Sequence, residues 1–591
     1  MSNNIGNKSL NRLQSLSLNI EQRAAVTADL KPLLIVAGAG TGKTRTLISR
    51  LIYLLENNLA NKDGIITLAF TNKAADEIKN RTNIKNTDLF RGPFVGTFHS
   101  LGAKILRQEA NLVGRNRLFV ILDDDDSLSL VKKIIKNLNI GKKIFAGEIL
   151  NQISRVKSNL IDFKSAGFRD QSIFEQIFES YENYLLKNNA FDFDDLIIKP
   201  IEIFQNYPKI LLKYQNKISH ILIDEYQDIN EAQYRLIRLL DGKRGRISAV
   251  GDDEQAIYSF RGANYRFFLN FQNDWSQSLI FNLEENYRSS ANIIEAAAAV
   301  IANNRYRAPK NLWTRNERGK LVKIIQAIGE ENEANLIVQN IKQSLELGMK
   351  NIAVLYRTNA YSRAIEEALI RNNIPYFIVG GVRFYARKEI KDIICALRLA
   401  LNNNDSLSAE RLEKLLGKRK FKDFMSKWPP KYQLATDLIA KFLEMTNYFD
   451  YLKNNYSNYL EREENIAELI RFSESKKLDD FLEKVSLAEP ADKTDSKSIK
   501  LMTIHLAKGL EFEKVFLAGA SEGILPHTLS ASELGIEEER RLMYVAMTRA
   551  KKELVISYFG LPSRFLGEIP PNVAEFEIVQ LSDEDDFISY L

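Results

Sequence analysis

The stretch LeuLeuIleValAlaGlyAlaGlyThrGlyLysThr at 33–44 decides the fold of this chain. Its apolar half, 33–36, leads directly into a glycine-rich turn that ends in Lys43 and Thr44. A buried strand followed by such a turn and a helix directs several backbone N–H groups at one point, which suits a phosphate. In that arrangement Lys43 reaches the β- and γ-phosphates of a nucleoside triphosphate, and Thr44 holds Mg²⁺.

The strict phosphate-loop pattern begins with Gly, where this chain has Ala37, so an ordinary glycine-rich turn is the alternative interpretation. A second motif, IleLeuIleAspGlu at 221–225, argues against that alternative. Its apolar strand ends in Asp224 and Glu225, where one carboxylate can hold magnesium and the other can take a proton from water. Two adjacent acids are usually solvated loop charge, but after a strand beside a phosphate loop they indicate nucleotide hydrolysis.

Length and composition indicate a large globular protein. The chain has 591 residues, 45% of them apolar and 27% charged, so several domains with their own cores are expected. The single cysteine, Cys395, excludes a disulfide framework and suits a reducing, cytoplasmic compartment. We interpret Cys395 as a small buried hydrophobe on a helix.

The charge pattern sets limits on partners. Net charge is +6, from 82 basic and 76 acidic residues, which permits nucleic-acid binding without requiring it. The four histidines, at 99, 220, 505 and 527, are scattered singly, so no metal cluster is expected beyond Mg²⁺ carried with a nucleotide. Residues 1–17 lack the apolar core of a signal peptide, and no stretch reaches the length of a membrane span.

Short apolar strands alternate with helical stretches along most of the chain, which predicts parallel sheets covered by helices. Two long segments, 109–195 and 390–498, break this alternation and read as helical insertions, with helices such as 127–138 and 466–485. The polar stretch 489–498 reads as a linker, and no repeat is evident. The predicted strands are 33–36, 65–69, 221–224, 247–250, 279–283, 352–356, 500–503 and 515–518.

Further motifs follow the two nucleotide motifs in a fixed order. They are LeuAsnIleGluGln at 18–22, PheThrAsnLysAlaAla at 70–75, ThrPheHisSer at 97–100, AspPheAspAspLeu at 192–196, GlyAspAspGluGlnAlaIleTyrSerPheArgGlyAla at 251–263, GluGluAsnTyrArgSerSer at 284–290, LeuTyrArgThrAsnAlaTyrSerArg at 355–363, ThrIleHisLeuAlaLysGlyLeuGluPhe at 503–512 and GluGluGluArgArgLeuMetTyrValAlaMetThrArgAla at 537–550. In this order they resemble the UvrD/Rep/PcrA-type DNA helicases of superfamily 1, over about 18–566.

The resemblance implies an α/β fold of two RecA-like P-loop domains with parallel sheets, each carrying a mainly helical insertion. The first sheet domain is expected at 1–108 and 196–283, with its insertion at 109–195. The second is expected at 284–390 and 499–567, with a shortened insertion at 391–498 and a C-terminal tail at 568–591.

The resemblance also gives roles to residues around ATP. Gln22 would read the adenine edge, Tyr287 would stack on the ring and Glu511 would accept from the ribose. Thr44 and Asp224 would hold Mg²⁺. The cofactor-binding set is Gln22, Ala37, Gly38, Ala39, Gly40, Thr41, Gly42, Lys43, Thr44, Arg45, Tyr287 and Glu511, and the catalytic set is Lys43, Asp224, Glu225, Gln255, Arg288 and Arg549.

Within the catalytic set, Arg288 and Arg549 would reach the γ-phosphate from the second domain, so the site is completed on closure. Gln255 would sense the γ-phosphate and couple it to the DNA-facing loop. For Arg549 the alternative is a surface ion pair on an arginine-rich helix.

A sequence-independent grip on single strands needs aromatic platforms and cations. By resemblance the DNA-binding residues are Phe70, Thr71, Asn72, His99, Tyr258, Phe260, Arg261, Arg357 and His505, while Arg261, Arg357 and Arg363 would face phosphates or link the motifs. Many relatives have tryptophan where this chain has Phe260, so the stacking surface here is smaller.

The second insertion departs from the family pattern. GlyGlyValArgPheTyrAlaArgLysGluIleLysAsp at 380–392 matches its beginning, but the glycine-rich duplex-contacting turn expected soon after 402–405 is missing. LeuGlyLysArgLysPheLys at 416–422 is the nearest sequence. The chain ends in an acidic stretch, 582–586, rather than the basic tail of some relatives.

We therefore expect an ATP-dependent 3′-to-5′ translocase and helicase acting on single-stranded DNA and tailed duplexes, as a monomer or DNA-induced dimer, with DNA repair or replication proteins as partners and no membrane. Three alternatives stay open: a translocase that displaces proteins from DNA, the motor subunit of a helicase-nuclease complex, and a non-catalytic nucleic-acid binder with a relic ATP site.

Overall fold

The computed structural model describes residues 17–85, 88–139, 146–159, 171–358, 361–379, 387–428, 434–455, 462–463, 466–467, 469–470, 473–486, 498–530 and 532–578. Several sequence-based predictions fall wholly or almost wholly outside these ranges. They are the polar start at 1–17, the first part of the 380–392 motif, the linker at 489–498, the acidic end at 582–586 and the side chain of Arg363.

The strands of the described residues are, in chain order, β1 (Leu33–Ala37), β2 (Ile65–Ala69), β3 (Phe94–Thr97), β4 (Val120–Ile121), β5 (Ala190–Phe191), β6 (His220–Ile223), β7 (Ile247–Gly251), β8 (Leu279–Leu283), β9 (Glu285–Asn286), β10 (Trp313–Thr314), β11 (Val322–Ala327), β12 (Ile352–Tyr356), β13 (Tyr376–Ile378), β14 (Ile499–Thr503), β15 (Phe512–Leu517), β16 (Ala550–Phe559) and β17 (Ala574–Ile578).

Helices cover both sheets and fill the segments between them. They run over Ile20–Thr27, Lys43–Glu56, Asn72–Thr82, Phe98–Glu109, Asp124–Asn137, Ala146–Asn159, Gln171–Lys187, Asp195–Asn206, Pro208–Lys217, Glu231–Asp241, Arg266–Leu269, Phe271–Asp274, Ala291–Ile301, Glu330–Glu346, Ser362–Arg371, Lys388–Leu401, Ser406–Leu416, Lys418–Lys427, Ala435–Thr446, Tyr448–Asn455, Leu478–Ser486, Ile504–Ala507 and Glu533–Met547.

The first sheet has the order β3-β2-β6-β7-β1-β8, and its neighbouring strands are parallel. Its central strands β1, β6 and β7 are buried throughout, as expected for strands covered on both faces. Because the strands are parallel, their carboxyl ends meet at one edge of the sheet. The turn after β1, the acids after β6 and the acids after β7 therefore lie together.

The second sheet has the order β13-β14-β12-β15-β16-β11-β17, again with parallel neighbours. The α/β fold with two parallel sheets is thus confirmed. Within the two sheets, strands β3, β11, β13, β16 and β17 were not predicted from the sequence. The range 568–591, expected as a tail, contains β17, which pairs with β11 and widens the second sheet. The predicted boundary at 567 is corrected accordingly.

Both expected insertions contain helices with their own apolar cores. In the first, Leu130, Ile153 and Ile177 come from three successive helices, and β4 pairs with β5 at its base. In the second, Cys395 is buried on the helix Lys388–Leu401 beside Phe442, as the sequence indicated, and burial raises the pKa of its thiol to about 12. The helix expected over 466–485 does not run through, because residues 474–475 form a turn.

The two insertions contact each other. Lys391 and Arg398 of the second form ion pairs with Asp125 and Asp126, which lie in the first turn of the helix Asp124–Asn137. The Asn402 side chain donates to the backbone carbonyl of Asn188 at 2.7 Å. Across the described residues, no helix is both long and apolar enough to cross a membrane.

Candidate functional site

The turn after β1 is built for a close approach of backbone to a ligand. Gly40 and Gly42 have φ of +69° and +83°, a region that favours glycine, and Gly42 caps the helix Lys43–Glu56. A Cβ on Gly40 would lie 2.4 Å from Asn286 Nδ2 and 2.9 Å from the Cβ of Arg288, so the loop is also crowded by the second half of the chain. The helix N-terminus leaves N–H groups and partial positive charge facing this turn, which favours an anion.

Two acids follow β6 beside that turn. Thr44 Oγ1 donates to Asp224 Oδ2 at 3.3 Å, so the two residues expected to hold Mg²⁺ are in contact. Burial, together with the charge of Glu225, raises the pKa of Asp224 to about 7. This oxygen pair suits a hard cation, which takes carboxylate and hydroxyl oxygens.

Glu225 has a φ of +51°, in the left-handed region that is uncommon for residues other than glycine. Burial acts to raise the pKa of Glu225, but Lys43 and Lys508 outweigh it, and the Gln227 side chain donates at 2.6 Å, so the pKa is lowered. Glu225 is therefore ionised and able to accept a proton.

The amine of Lys43 lies near one carboxylate, from which it could move to a bound phosphate. Its Nζ lies 3.5 Å from Asp252 Oδ2 and makes no hydrogen bond within the described residues. Asp252 also accepts from Gln255 Nε2 at 2.5 Å. On the other side, Gln255 Oε1 accepts from Arg549 Nη2 at 3.0 Å. A continuous chain of contacts therefore joins the phosphate-loop lysine of the first sheet to the arginine of the second.

Arg549 is 1% exposed, and its hydrogen bonds go to neutral groups: Val545 O, Leu510 O, Gln255 Oε1 and Thr548 Oγ1. Burial, and then the neighbouring Arg288, lower its pKa to about 9. The surface ion pair considered as an alternative is thus wrong for Arg549. Because none of these four partners is a carboxylate, the charge of the guanidinium is available to a bound anion.

Arg288 lies at the same edge of the cleft. It donates to Glu511 Oε2 at 2.9 Å and to the Thr548 carbonyl at 3.2 Å. Glu511 also pairs with Lys551, so its oxygens are held by two cations rather than left free for a ribose.

Of the two residues expected around adenine, Gln22 is already hydrogen-bonded within the protein, and Tyr287 keeps an exposed ring. Gln22 donates to Thr41 O at 2.8 Å and accepts from Asn19 N at 3.1 Å, so both ends of its amide are used within the protein. The ring of Tyr287 is 48% exposed, while its hydroxyl donates to Glu285 at 2.7 Å and accepts from Asn19 at 2.9 Å. Tyr287 therefore offers a ring face of fixed orientation.

The rest of the loop set is placed as follows. Ala37 ends β1, and Ala39 N lies 3.5 Å from the hydroxyl of the buried Tyr544. Gly38 is covered by Leu312, whose Cδ1 would lie 2.5 Å from an added Cβ. Arg45 is half-buried in the first turn of the helix Lys43–Glu56.

An aromatic cluster lies between the two sheets. Phe70 stacks on Tyr258 with 5.2 Å between ring centres, and Phe260 meets His505 edge-on at 5.2 Å. The Arg261 guanidinium lies 5.5 Å from the rings of both Tyr258 and Phe260. Phe260 is 65% exposed. Exposed rings with a nearby guanidinium are the elements of a stacking surface for bases.

Three other residues predicted to contact DNA, Thr71, Asn72 and His99, are half-buried. Thr71 caps the helix Asn72–Thr82 by accepting from Ala74 N at 3.1 Å. His99 packs on Phe193 at 4.7 Å, and burial lowers its pKa to about 4. Asn72 is the first residue of the capped helix and is half-buried.

Arg357 and His505 lie next to the cluster. Arg357 makes a two-pronged ion pair with the buried Glu539, at 2.8 Å for its shortest contact, so it links motifs rather than facing solvent. Burial, followed by the charges of Arg357, Arg261 and Lys508, lowers the pKa of His505 to about 3, so its ring is neutral.

Sequence reasoning missed several charged residues of the cleft. Lys508 Nζ lies 2.5 Å from Asp228 Oδ2 and 2.5 Å from the Gln255 carbonyl, although it stood within a quoted motif. Asp252 follows β7 as Asp224 follows β6, and that parallel was an available signal. Lys310 pairs with Asp252 and Asp253 at 2.8 Å, and no local pattern indicates this.

The AspPheAspAspLeu motif does not join the cleft. Asp192, Asp195 and Glu182 form the carboxylate group closest to a metal-site geometry among the described residues. The buried amine of Lys157 already pairs with all three, at 2.7, 2.9 and 2.6 Å. This is an internal ion cluster of the first insertion.

Comparison with known proteins agrees with the motif order. The family model for the UvrD/REP helicase N-terminal domain matches residues 18–276, and that for the UvrD-like helicase C-terminal domain matches 281–461 and 416–560. The ATP-dependent DNA helicase PcrA of Staphylococcus aureus (strain MRSA252) is 37% identical over 633 aligned positions, covering 94% of this chain and 87% of that protein. The PcrA of Staphylococcus epidermidis (strain RP62A) is 37% identical over 638, covering 95% and 87%.

Proposed function

The chain belongs to the UvrD/REP family of ATP-dependent DNA helicases, and from that premise we propose that it moves 3′ to 5′ along single-stranded DNA and uses ATP hydrolysis between its two sheet domains to separate strands. The observation that carries the proposal is the contact chain from Lys43 through Asp252 and Gln255 to Arg549. It joins the phosphate loop of one sheet to the arginine of the other, so a bound triphosphate would be read by both.

In this proposal the chain holds ATP as follows. The amides at the start of the helix Lys43–Glu56 and the Lys43 amine bind the phosphates. Thr44 and Asp224 would hold Mg²⁺, which neutralises phosphate charge when bound. Tyr287 presents its exposed ring to the adenine. Gln22 and Glu511 reach the base and ribose only after exchanging their present partners, which are Thr41 O and Asn19 N for Gln22, and Arg288 and Lys551 for Glu511.

Hydrolysis requires a proton acceptor and charge stabilisation. Glu225, whose pKa is lowered by Lys43 and Lys508, takes the proton of the attacking water. Arg288 and Arg549 stabilise the charge on the transferring phosphoryl group from the opposite domain. Because those two groups belong to the second domain, binding of ATP favours the closed arrangement and hydrolysis releases it.

We propose that the DNA strand runs over the aromatic cluster. Phe260 is the most exposed ring of that cluster, and Arg261 lies beside it, which gives a stacking face with a phosphate contact. Gln255 lies three residues before Tyr258, so a change at the γ-phosphate reaches the DNA platform through a short stretch of chain. Closing and opening of the cleft then moves the strand.

We further propose the division into a first sheet domain at 1–108 and 196–283, its insertion at 109–195, a second sheet domain at 284–390 and from 499 through β17, and a second insertion at 391–498. DNA repair or replication is the proposed setting, with proteins of those processes as partners. The chain is proposed to act as a monomer or a DNA-induced dimer.

A second candidate is a translocase that displaces proteins from DNA, or the motor of a helicase-nuclease complex, with weak unwinding alone. It is favoured by one observation in the second insertion. Where a glycine-rich duplex-contacting turn was expected, the helices Ser406–Leu416 and Lys418–Lys427 are joined by Gly417 alone.

The test is ATP-driven opening of a short duplex carrying either a 3′ or a 5′ single-stranded tail, at low salt because phosphate contacts weaken with ionic strength. Lys43→Ala is the inactive control. Opening of the 3′-tailed duplex alone supports the proposal. Opening of the 5′-tailed duplex alone refutes the polarity. No opening, with DNA-stimulated ATP hydrolysis intact, favours the second candidate.

A further inference from the structure

A short segment after the helix Ala291–Ile301 crosses from the second sheet domain to the first. We call residues 304–312 the crossing segment. At its start, Asn304 Nδ2 donates to the Glu537 carbonyl at 3.0 Å, and Arg305 N donates to Glu537 Oε1 at 2.8 Å. Glu537 lies on the helix Glu533–Met547, which directly precedes Arg549. The crossing segment is therefore attached to the element that carries the arginine of the second domain.

The far end of the crossing segment is attached to the acids after β7. Ala308 N donates to Asp253 Oδ2 at 2.9 Å. The Lys310 amine lies 2.8 Å from Asp252, 2.8 Å from Asp253 and 3.3 Å from Glu254. Its side chain is 1% exposed, so this is a buried ammonium among three carboxylates.

Asp252 is shared between two lysines. Its Oδ1 contacts Lys310 at 2.8 Å, and its Oδ2 lies 3.5 Å from Lys43. These are the ammonium partners of Asp252 among the described residues. Asp252 is completely buried, so losing either partner is costly unless the other one remains.

This arrangement sets a condition on nucleotide binding. Lys43 must leave Asp252 in order to bind phosphate, and the carboxylate then needs another cation. Lys310 already lies 2.8 Å from Asp252, which is closer than Lys43 at 3.5 Å. Without Lys310, Lys43 would be the one ammonium partner left to Asp252 among the described residues, so its departure to a phosphate would leave a buried carboxylate unpaired.

We propose that Lys310 is a positioning residue of the ATP site: it neutralises Asp252 so that Lys43 is free to move onto the phosphates. The inference rests on the proposed role of Lys43 in ATP binding and adds a residue to that role. It predicts an effect on affinity for ATP rather than on turnover at saturation, because Lys43 occupies the same place once ATP is bound.

The experiment measures ATP hydrolysis with single-stranded DNA, and ATP affinity by displacement of a fluorescent ATP analogue, at pH 7.5. The variants are Lys310→Met, Lys310→Arg, Asp252→Asn and Lys310→Met with Asp252→Asn, with Lys43→Ala as the inactive reference. Thermal melting shows which variants are folded. Asn at 252 keeps the oxygen that caps the following turn, where Glu254 N donates to Asp252 Oδ1 at 3.2 Å.

Lys310→Met should raise KM for ATP about tenfold or more, as expected for releasing a charge-assisted contact onto Lys43, with kcat changed less than about threefold. Lys310→Arg should stay near the wild type. The double variant should recover most of the affinity although Lys310 is still absent, because Asp252 no longer holds Lys43. A purely structural role would leave the double variant no better than Lys310→Met.

An unchanged KM in folded Lys310→Met, or a double variant as weak as the single one, would overturn the inference. If Lys310→Met does not fold, Lys310→Gln replaces it, alone and combined with Asp252→Asn: a raised KM that the double variant restores supports the inference, and an unchanged KM or a double variant as weak as the single one overturns it. ATP turnover by Lys43→Ala would instead refute the proposed function of the loop.

Discussion

Replacing Arg549 by alanine should abolish turnover while sparing nucleotide binding. The guanidinium is 1% exposed and donates four hydrogen bonds to neutral groups, so its charge is not spent on a carboxylate hydrogen bond. At an effective dielectric constant of about 20, a unit charge about 4 Å from a phosphoryl oxygen contributes about 4 kcal/mol. If that interaction is made mainly in the transition state, kcat falls about 10³-fold.

The assay is steady-state ATP hydrolysis with saturating single-stranded DNA, together with ATP affinity by analogue displacement. Arg564→Ala is the matched control, because Arg564 lies in the same domain and pairs with Glu522 at the surface. The control should keep the kcat of the wild type. Arg549→Lys should behave like the alanine variant, since one ammonium cannot replace the four hydrogen bonds of the fork.

Retained hydrolysis in folded Arg549→Ala would refute the assignment, because the charge would then not be needed at the γ-phosphate. A loss of ATP affinity as large as the loss of kcat would also contradict it, since the interaction would then be made equally in the ground state.

Three further substitutions test other parts of the structure. Phe260→Ala should weaken binding of single-stranded DNA by about 1 to 3 kcal/mol in a fluorescence titration, with little change in DNA-free hydrolysis. Phe576→Ala, which removes another exposed ring, on β17, should change neither. Gly40→Ala should abolish ATP binding because its Cβ would collide with Asn286, while Gly348→Ala, whose φ is also positive at +80° but which has open space, should cost only about 1 kcal/mol of unfolding free energy in urea. Lys157→Met should lower the unfolding free energy by about 3 to 5 kcal/mol through its unpaired carboxylates, and an unchanged urea midpoint would contradict the ion cluster.

The strands that could be predicted are those that a short stretch of sequence identifies by its own apolar pattern. The apolar runs that became β1, β6 and β7 are followed by or end in glycine or acidic residues, and this pattern identifies buried parallel strands. By contrast, β16 mixes charged and apolar residues over Ala550–Phe559, because one end is only half covered. Strand β17 alternates apolar and acidic residues, but it is short and four of its five residues are exposed, so no buried run marks it.

The site divides in the same way. Thr44 and Asp224 each lie in a short motif that begins with an apolar strand. Parallel strands bring the ends of such motifs to one edge of the sheet, so the proximity of the two residues follows from the sequence pattern. The ion pairs of Lys310 and Lys508 join positions far apart in sequence, at 252 and 228, and no periodicity encodes them. The engagement of Gln22 with Thr41 and of Glu511 with Arg288 depends on side-chain geometry that only the folded chain provides.

The most direct test of the account is ATP hydrolysis by the whole chain with and without single-stranded DNA, compared with Lys43→Ala. The account predicts that DNA stimulates hydrolysis about tenfold or more, since the aromatic cluster and the phosphate loop are coupled through Gln255, and that Lys43→Ala removes the activity. Hydrolysis that ignores DNA, or that persists in Lys43→Ala, would contradict the claim that this cleft couples ATP to a DNA strand.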